Sequence, residues 1–173
     1  MAEHHASIAW TTAATAEAFA AGKYSREHTW AFDGGITVQA SSSPSVVPRP
    51  WSNPANVDPE EAFVAAIASC HMLSFLYVAM KASFVVEAYI DDAVGVMAKT
   101  ERGVAWVSRV TLAPVVRFAG RPPTAAELAA LHHGAHEQCF IAQSVKTEIV
   151  VSEPRPDESG AGSPGGRQHH SPT

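Results

Sequence analysis

Cysteine is scarce in this chain, and so is charge of either sign. Two of the 173 residues are cysteine, which excludes the disulfide framework of small secreted domains. Charged residues make up 17%, and Lys plus Arg number 12 against 17 Asp plus Glu, a net charge of −5. That balance argues against nucleic acid and anionic membrane as partners, because both need clustered cations. No Gly-x-Ser-x-Gly elbow occurs, so an esterase-type serine is not expected. No phosphate loop or dinucleotide fingerprint occurs either, and Gly34-Gly35 reads as a turn. The chain opens Met1-Ala-Glu-His-His without an apolar run behind basic residues, which does not read as a signal peptide. The expectation is a cytoplasmic protein, where a disulfide is transient and catalytic. No internal repeats or dividing linkers appear.

What is present is apolar and plentiful, 46% of the residues, enough for one domain with a real core. The longest apolar run, Ala62 to Met80, is interrupted by Ser69, Cys70, His71 and Ser74 and is rich in alanine. It reads as a buried central helix rather than a membrane span. Its start is well marked. Asp58 can cap, Pro59 suits the first helical position, and Glu61 completes a capping box. The helix is expected to run to about Lys81, with apolar residues nearly all round it, so other elements must surround it.

Strands are expected on both sides of it. Ser7 to Thr11 is a short strand, Ala13 to Ala21 a helical turn, and Glu27 to Phe32 and Ile36 to Ala40 form a hairpin around Asp33-Gly34-Gly35. Ser41 to Val57, with four prolines, reads as an ordered loop. Val85 to Ala98 and Val104 to Phe118 read as two long strands. Thr124 and Glu127 box the start of a second helix ending near His136 to Cys139, and Lys146 to Ser152 is a closing strand. The class is α+β, with helices packed on antiparallel sheet. A single domain is expected over 1–153, with a disordered tail over 154–173, where no large apolar residue offers an anchor.

The chemistry concentrates on the two cysteines. Cys70 lies in the central helix, and Cys139 just after the second, in Glu137-Gln-Cys139-Phe-Ile-Ala-Gln-Ser-Val. Such a pair can cycle between dithiol and disulfide if the fold brings the sulfurs together. Apolar burial keeps a thiol inert unless a cation favours the thiolate. His71 points about 100° away around the helix and carries little weight as that cation. An arginine from outside the helix suits better, because its charge is permanent and its fork can hold a peroxide oxygen. A metal site is the rival of another class, since His132, His136 and Cys139 fall at i, i+4 and i+7 of one face. A solvated polar face is the preferred reading there, because no fourth ligand is evident.

The stretch Asn53 to Met72, with Asp58-Pro-Glu-Glu and Ala-Ala-x-Ala-Ser-Cys70, resembles the OsmC/Ohr family of hydroperoxide reductases. The strand–Asp-Gly-Gly–strand opening, the long hairpin after the helix, and His136-Glu-Gln-Cys139 follow in the family's order, over roughly residues 6 to 152. The resemblance implies an OsmC-like fold and an intertwined homodimer. It implies a peroxidase for organic hydroperoxides or hydrogen peroxide, with no cofactor and no metal, reduced by a thiol or dithiol partner. Position by position, it makes Cys70 the peroxidatic residue and Cys139 the resolving one, paired in a transient disulfide. Glu60 becomes the carboxylate that positions an arginine. That arginine is Arg26, with Arg49 in the Pro-rich loop as the alternative. The family often has Pro where Phe140 stands and Phe or Ala where His71 stands. A non-catalytic dimer of the same fold is the other alternative. On a straight helix Glu60 and Cys70 lie about 15 Å apart. One site can use both only through a bent helix, a long arginine, or the partner's Glu60.

Overall fold

A computed structural model describes residues 2–152; the expected tail over 154–173 lies outside the described residues. Strands β1 (Ala6–Ala9), β2 (His28–Phe32) and β3 (Thr37–Ala40) form one antiparallel sheet in the order β1-β2-β3. A short helix α1 (Ala16–Ala20) lies between β1 and β2. Gly35, at φ 85°, closes the β2–β3 turn in the left-handed region that suits glycine. The Pro-rich loop is ordered by side chains. Asn53 Nδ2 donates to Glu27 Oε1 at 2.7 Å, and Asn53 N–H donates to Ser41 Oγ at 2.9 Å.

Helix α2 (Pro59–Lys81) starts as its sequence dictates. The Asp58 carboxylate accepts from Glu61 N–H at 2.8 Å, and the Glu61 carboxylate accepts from Asp58 N–H at 3.1 Å. By length and composition α2 is apolar enough to cross a membrane. Here it packs on α3 (Ala125–Gln138) and on the sheets that follow. Its buried residues are Ile67, His71, Phe75 and Ala79, a stripe at strict i+4 spacing. The rest of its circumference is not enclosed. Leu73, Tyr77 and Met80 are 60%, 48% and 57% exposed, so the expectation of a helix covered all round fails for one chain.

The two long strands each break in the middle. The first is β4 (Val85–Asp91) and β5 (Val94–Lys99); the second is β6 (Ala105–Leu112) and β7 (Pro114–Ala119). β4 pairs with β7 and β5 with β6, so one long hairpin is bent into two sheets. The bend is pinned where Asp91 Oδ1 accepts from Ala113 N–H at 2.7 Å. The last strand, β8 (Glu148–Val151), runs parallel to β6, whereas antiparallel sheet was expected. Two apolar clusters result. Phe75, Ala79, Leu131 and Ala135 join α2 to α3 under β4 and β7. Ile67, Val110 and Leu112 join α2 to β6 and β8. Gly95 lets α2 approach β5, because a Cβ there would lie 2.5 Å from Val64 Cγ2.

Candidate active site

The fold brings the two cysteines together from distant segments. Cys70 sits in the twelfth position of α2, half-buried, and Cys139 caps the C-terminus of α3, fully buried. Both are free thiols, and the two sulfurs are neighbours, near enough for Cys70 to act on the Cys139 thiol. Past α3 the chain turns into a short 3₁₀ segment (Ala142–Ser144), which aims consecutive amides at the sulfurs. Ile141 N–H donates to Cys70 Sγ at 3.5 Å, and Ala142 N–H donates to Cys139 Sγ at 3.3 Å. Burial, and then the hydrogen bond with Cys70, push the Cys139 thiol up to about 11. At neutral pH Cys139 is therefore a protonated thiol, unsuited to be the first nucleophile. The residue after it, Phe140, is 83% exposed.

Cys70 also marks a boundary on its helix. Leu73, Tyr77 and Met80 follow it at i+3, i+7 and i+10, the open apolar face. Its other neighbour around the helix is the buried stripe of Ile67 and His71.

The other expected residues lie at the far end of α2. Arg26 is half-buried, just before β2, and its guanidinium stacks 3.6 Å over the Tyr24 ring. Its Nη1 donates to Gly22 O at 2.8 Å and to Tyr24 O. Tyr24 in turn stacks on Phe19 at 4.4 Å, and Trp10 meets both rings. These side chains and Pro59 line a cavity of about 360 Å³ beside the start of α2. Glu60, half-buried, lines a shallow cleft with Phe63, Trp106 and Lys146. Among the described residues no ion pair joins Glu60 to Arg26. α2 runs unbroken from Pro59 to Lys81, so ten residues separate Glu60 from Cys70, about 15 Å of rise. The bent-helix solution is thereby removed. Arg49 is exposed in the Pro-rich loop. One chain thus keeps the thiols at mid-helix and Arg26 and Glu60 near the N-terminal end of α2.

The metal alternative fails on geometry. Among the described residues no three His, Cys, Asp or Glu side chains converge to hold an ion. Cys139 is directed at Cys70 and the Ala142 amide, while His132 is engaged elsewhere. His132 is half-buried rather than on a solvated face, and its Nδ1 lies 3.1 Å from Nε2 of the buried His71. Burial pulls both rings down to about 4, with His132 and His136 adding to the effect at His71. His71 is the residue sequence reasoning undervalued. The available signal was its place at i+4 from Ile67 and i−4 from Phe75, inside the core stripe.

Residues 52–153 match the family model described as OsmC-like protein. An OsmC-like protein of unknown function from Vibrio cholerae is 53% identical, over 88% of this chain and 99% of that one, with a TM-score of 0.82. An organic hydroperoxide resistance protein from Elizabethkingia anophelis shares the fold at 17% identity, covering 87% and 93% with a TM-score of 0.65. An organic hydroperoxide resistance protein from Legionella pneumophila does so at 16%, covering 87% and 94% with a TM-score of 0.60. A comparison with curated proteins finds no match.

Proposed function

Since the chain belongs to the OsmC-like protein family, we propose that it is a cysteine-dependent peroxidase that reduces hydroperoxides at the expense of a thiol or dithiol. The observation that carries this reading is the contact between Cys70 and Cys139, the only two cysteines of the chain, delivered by different helices. Cys70 thiolate attacks the distal oxygen of ROOH. The O–O bond breaks, the alkoxide takes a proton and leaves as ROH, and the sulfur becomes sulfenic acid. The Cys139 thiol then displaces hydroxide from that sulfur, its own proton completing a water, and a Cys70–Cys139 disulfide results. An external thiol or dithiol returns both cysteines to the reduced state by exchange. The hydroperoxide resistance proteins that share the fold agree with this class of substrate. A reducing cytoplasm is the compartment that suits the cycle.

The working unit we propose is a homodimer. Leu73, Tyr77 and Met80 form an exposed apolar stripe beside Cys70, and a soluble chain gains by burying such a face against a second copy. A copy seated there covers the open side of Cys70. It also offers the route by which Arg26 and Glu60 of one chain reach the thiols of the other. In that site Arg26 holds the thiolate and the peroxide oxygen, and Glu60 orients Arg26.

The test is complementation. Cys70→Ser and Glu60→Ala proteins are each assayed for peroxide consumption, then refolded together. Activity regained in the mixture supports a site shared between chains. A fully active monomer in sedimentation at assay concentration refutes the shared site, and full turnover by Cys70→Ser refutes the thiol chemistry itself.

A further inference from the structure

A second cleft lies on the far side of α3, between that helix and strand β8. Its volume is about 620 Å³, within the range of small-molecule sites. Leu128, Ala129, Ile149 and Val151 supply apolar wall, and His132 lies among them. Neither cysteine lines it, nor do Arg26 and Glu60. His133, His136 and Ser152 line it as well, but no Lys, Arg, Asp or Glu does, so a cationic ligand finds no carboxylate there.

His132 is not a free surface ring. Its Nδ1 is joined to Nε2 of His71, with the ring planes 9° apart and the centroids 5.4 Å apart. Nearly coplanar rings meeting edge to edge make a straight N–H···N bond, in which one nitrogen donates and the other accepts. His71 decides the direction. It is 1% exposed, and its Nδ1 has no hydrogen-bond partner among the described residues. A buried N–H without an acceptor is rarer and costlier than a buried lone pair. His71 therefore carries its proton on Nε2 and donates to His132 Nδ1. Burial holds both rings neutral at pH 7. His132 then carries its single proton on Nε2, the ring edge away from His71.

We infer that this cleft is a binding site for an uncharged, largely apolar molecule bearing one oxygen acceptor, with His132 Nε2–H as the donor that orients it. The histidine in the core acts as a positioning residue, fixing which hydrogen-bonding sense His132 presents to the cleft. Ketones, esters and alcohols fit that sense; an alkylammonium ion would enter the cleft with no carboxylate beside it. The site is independent of the thiol chemistry and stands or falls separately from it.

Methyl hexyl ketone, octylammonium and n-octane serve as probes on the full-length protein, followed by calorimetry and ligand-observed NMR. The ketone is expected to bind about tenfold more tightly than either comparison molecule, the yield of one satisfied hydrogen bond. His132→Phe keeps the volume and removes the donor, and ketone affinity should fall by about tenfold. Because His132→Phe also strips His71 of its partner, Ala125→Phe is the second variant. Ala125 lines the same cleft two helical turns before His132, so a ring there takes up cleft volume away from the histidine pair, and it should abolish ketone binding while leaving peroxide consumption unchanged. Nitrogen NMR of the imidazoles gives the direct readout, with the His132 proton on Nε2. A proton on Nδ1 of His132 overturns the inference. So does equal binding of ketone and octane, or no binding to the wild type, the result expected if a second copy of the chain occupies the cleft.

Discussion

The two ends of α2 are organised by different physics. At mid-helix the thiols are fixed by packing: Phe75, Ala79, Leu131 and Ala135 clamp α2 to α3, and the chain beyond α3 folds back to bring amides to both sulfurs. At the N-terminal end the functional groups are polar and sit in open clefts. Arg26 is supported by an aromatic stack and two backbone carbonyls, and Glu60 has no partner among the described ion pairs. Packing can place two small sulfurs precisely enough to react, but it cannot supply the cation a thiolate needs. The charged end has the cation and no nucleophile. Within a single chain Glu60 stands about 15 Å of helix rise from Cys70, and the proposed dimer is the arrangement that would unite the two ends.

The sharpest way to break that contrast is to remove one thiol at a time. Cys70→Ser should abolish peroxide consumption. Cys139→Ser should leave a sulfenic acid at Cys70 that a carbon nucleophile such as dimedone traps and that over-oxidises with excess peroxide. Mass spectrometry of the labelled protein checks both. At the other end, Arg26→Ala should slow the oxidation of Cys70 by about a hundredfold, the scale of losing one preorganised electrostatic contact. Arg49→Ala should change it by about twofold or less, since surface charge acts weakly through screening. Stopped-flow rates decide the ranking, and the reverse order moves the role to Arg49.

Packing at the thiol end is tested by Phe75→Ala. This fully buried ring meets Tyr89, Phe118 and His132, and its loss should cost about 3–5 kcal/mol in denaturant unfolding. Gly95→Val, near the charged end, should cost about 1–3 kcal/mol, because the new Cβ falls 2.5 Å from Val64.

The pH dependence of stability tests the histidine pair beside the thiols. His71 and His132 titrate near 6.5 when unfolded and near 4 when folded. Their folded values are depressed, so the unfolded chain binds protons first as pH falls. Stability should be at its full value above about 6.5, decline between 6.5 and 4, and level off below for these two groups. His71→Leu should flatten that decline in a melting series across the same window.

Much of this was legible in the chain. Asp58, Pro59 and Glu61 announced the start of α2 through local hydrogen bonds, and Thr124 with Glu127 did the same for α3. Local signals of this kind survive in any context. The broken hairpin was not legible, because its pin joins Asp91 to Ala113 across the sheet and leaves no local trace. The parallel pairing of β8 with β6 is likewise a long-range choice. Cys70 and Cys139 were picked out by their contexts, but their contact rests on how α2 and α3 cross. The His71–His132 pair, 61 residues apart, leaves no local trace beyond the place of His71 in the core stripe of α2.

Two neighbouring peptide groups, those of Ile141 and Ala142, each serve one of the two sulfurs. A thiolate is a strong acceptor for such a group, and a disulfide sulfur is a poor one. Joining Cys70 to Cys139 therefore weakens the Ile141 bond to a Cys70 thiolate, beside the hinge where α3 passes into the 3₁₀ segment. The backbone here reads out electron count. The Ile141 amide proton should exchange with solvent faster and shift upfield in the oxidised protein, so the redox state of the pair is written on the main chain next to the exposed Phe140.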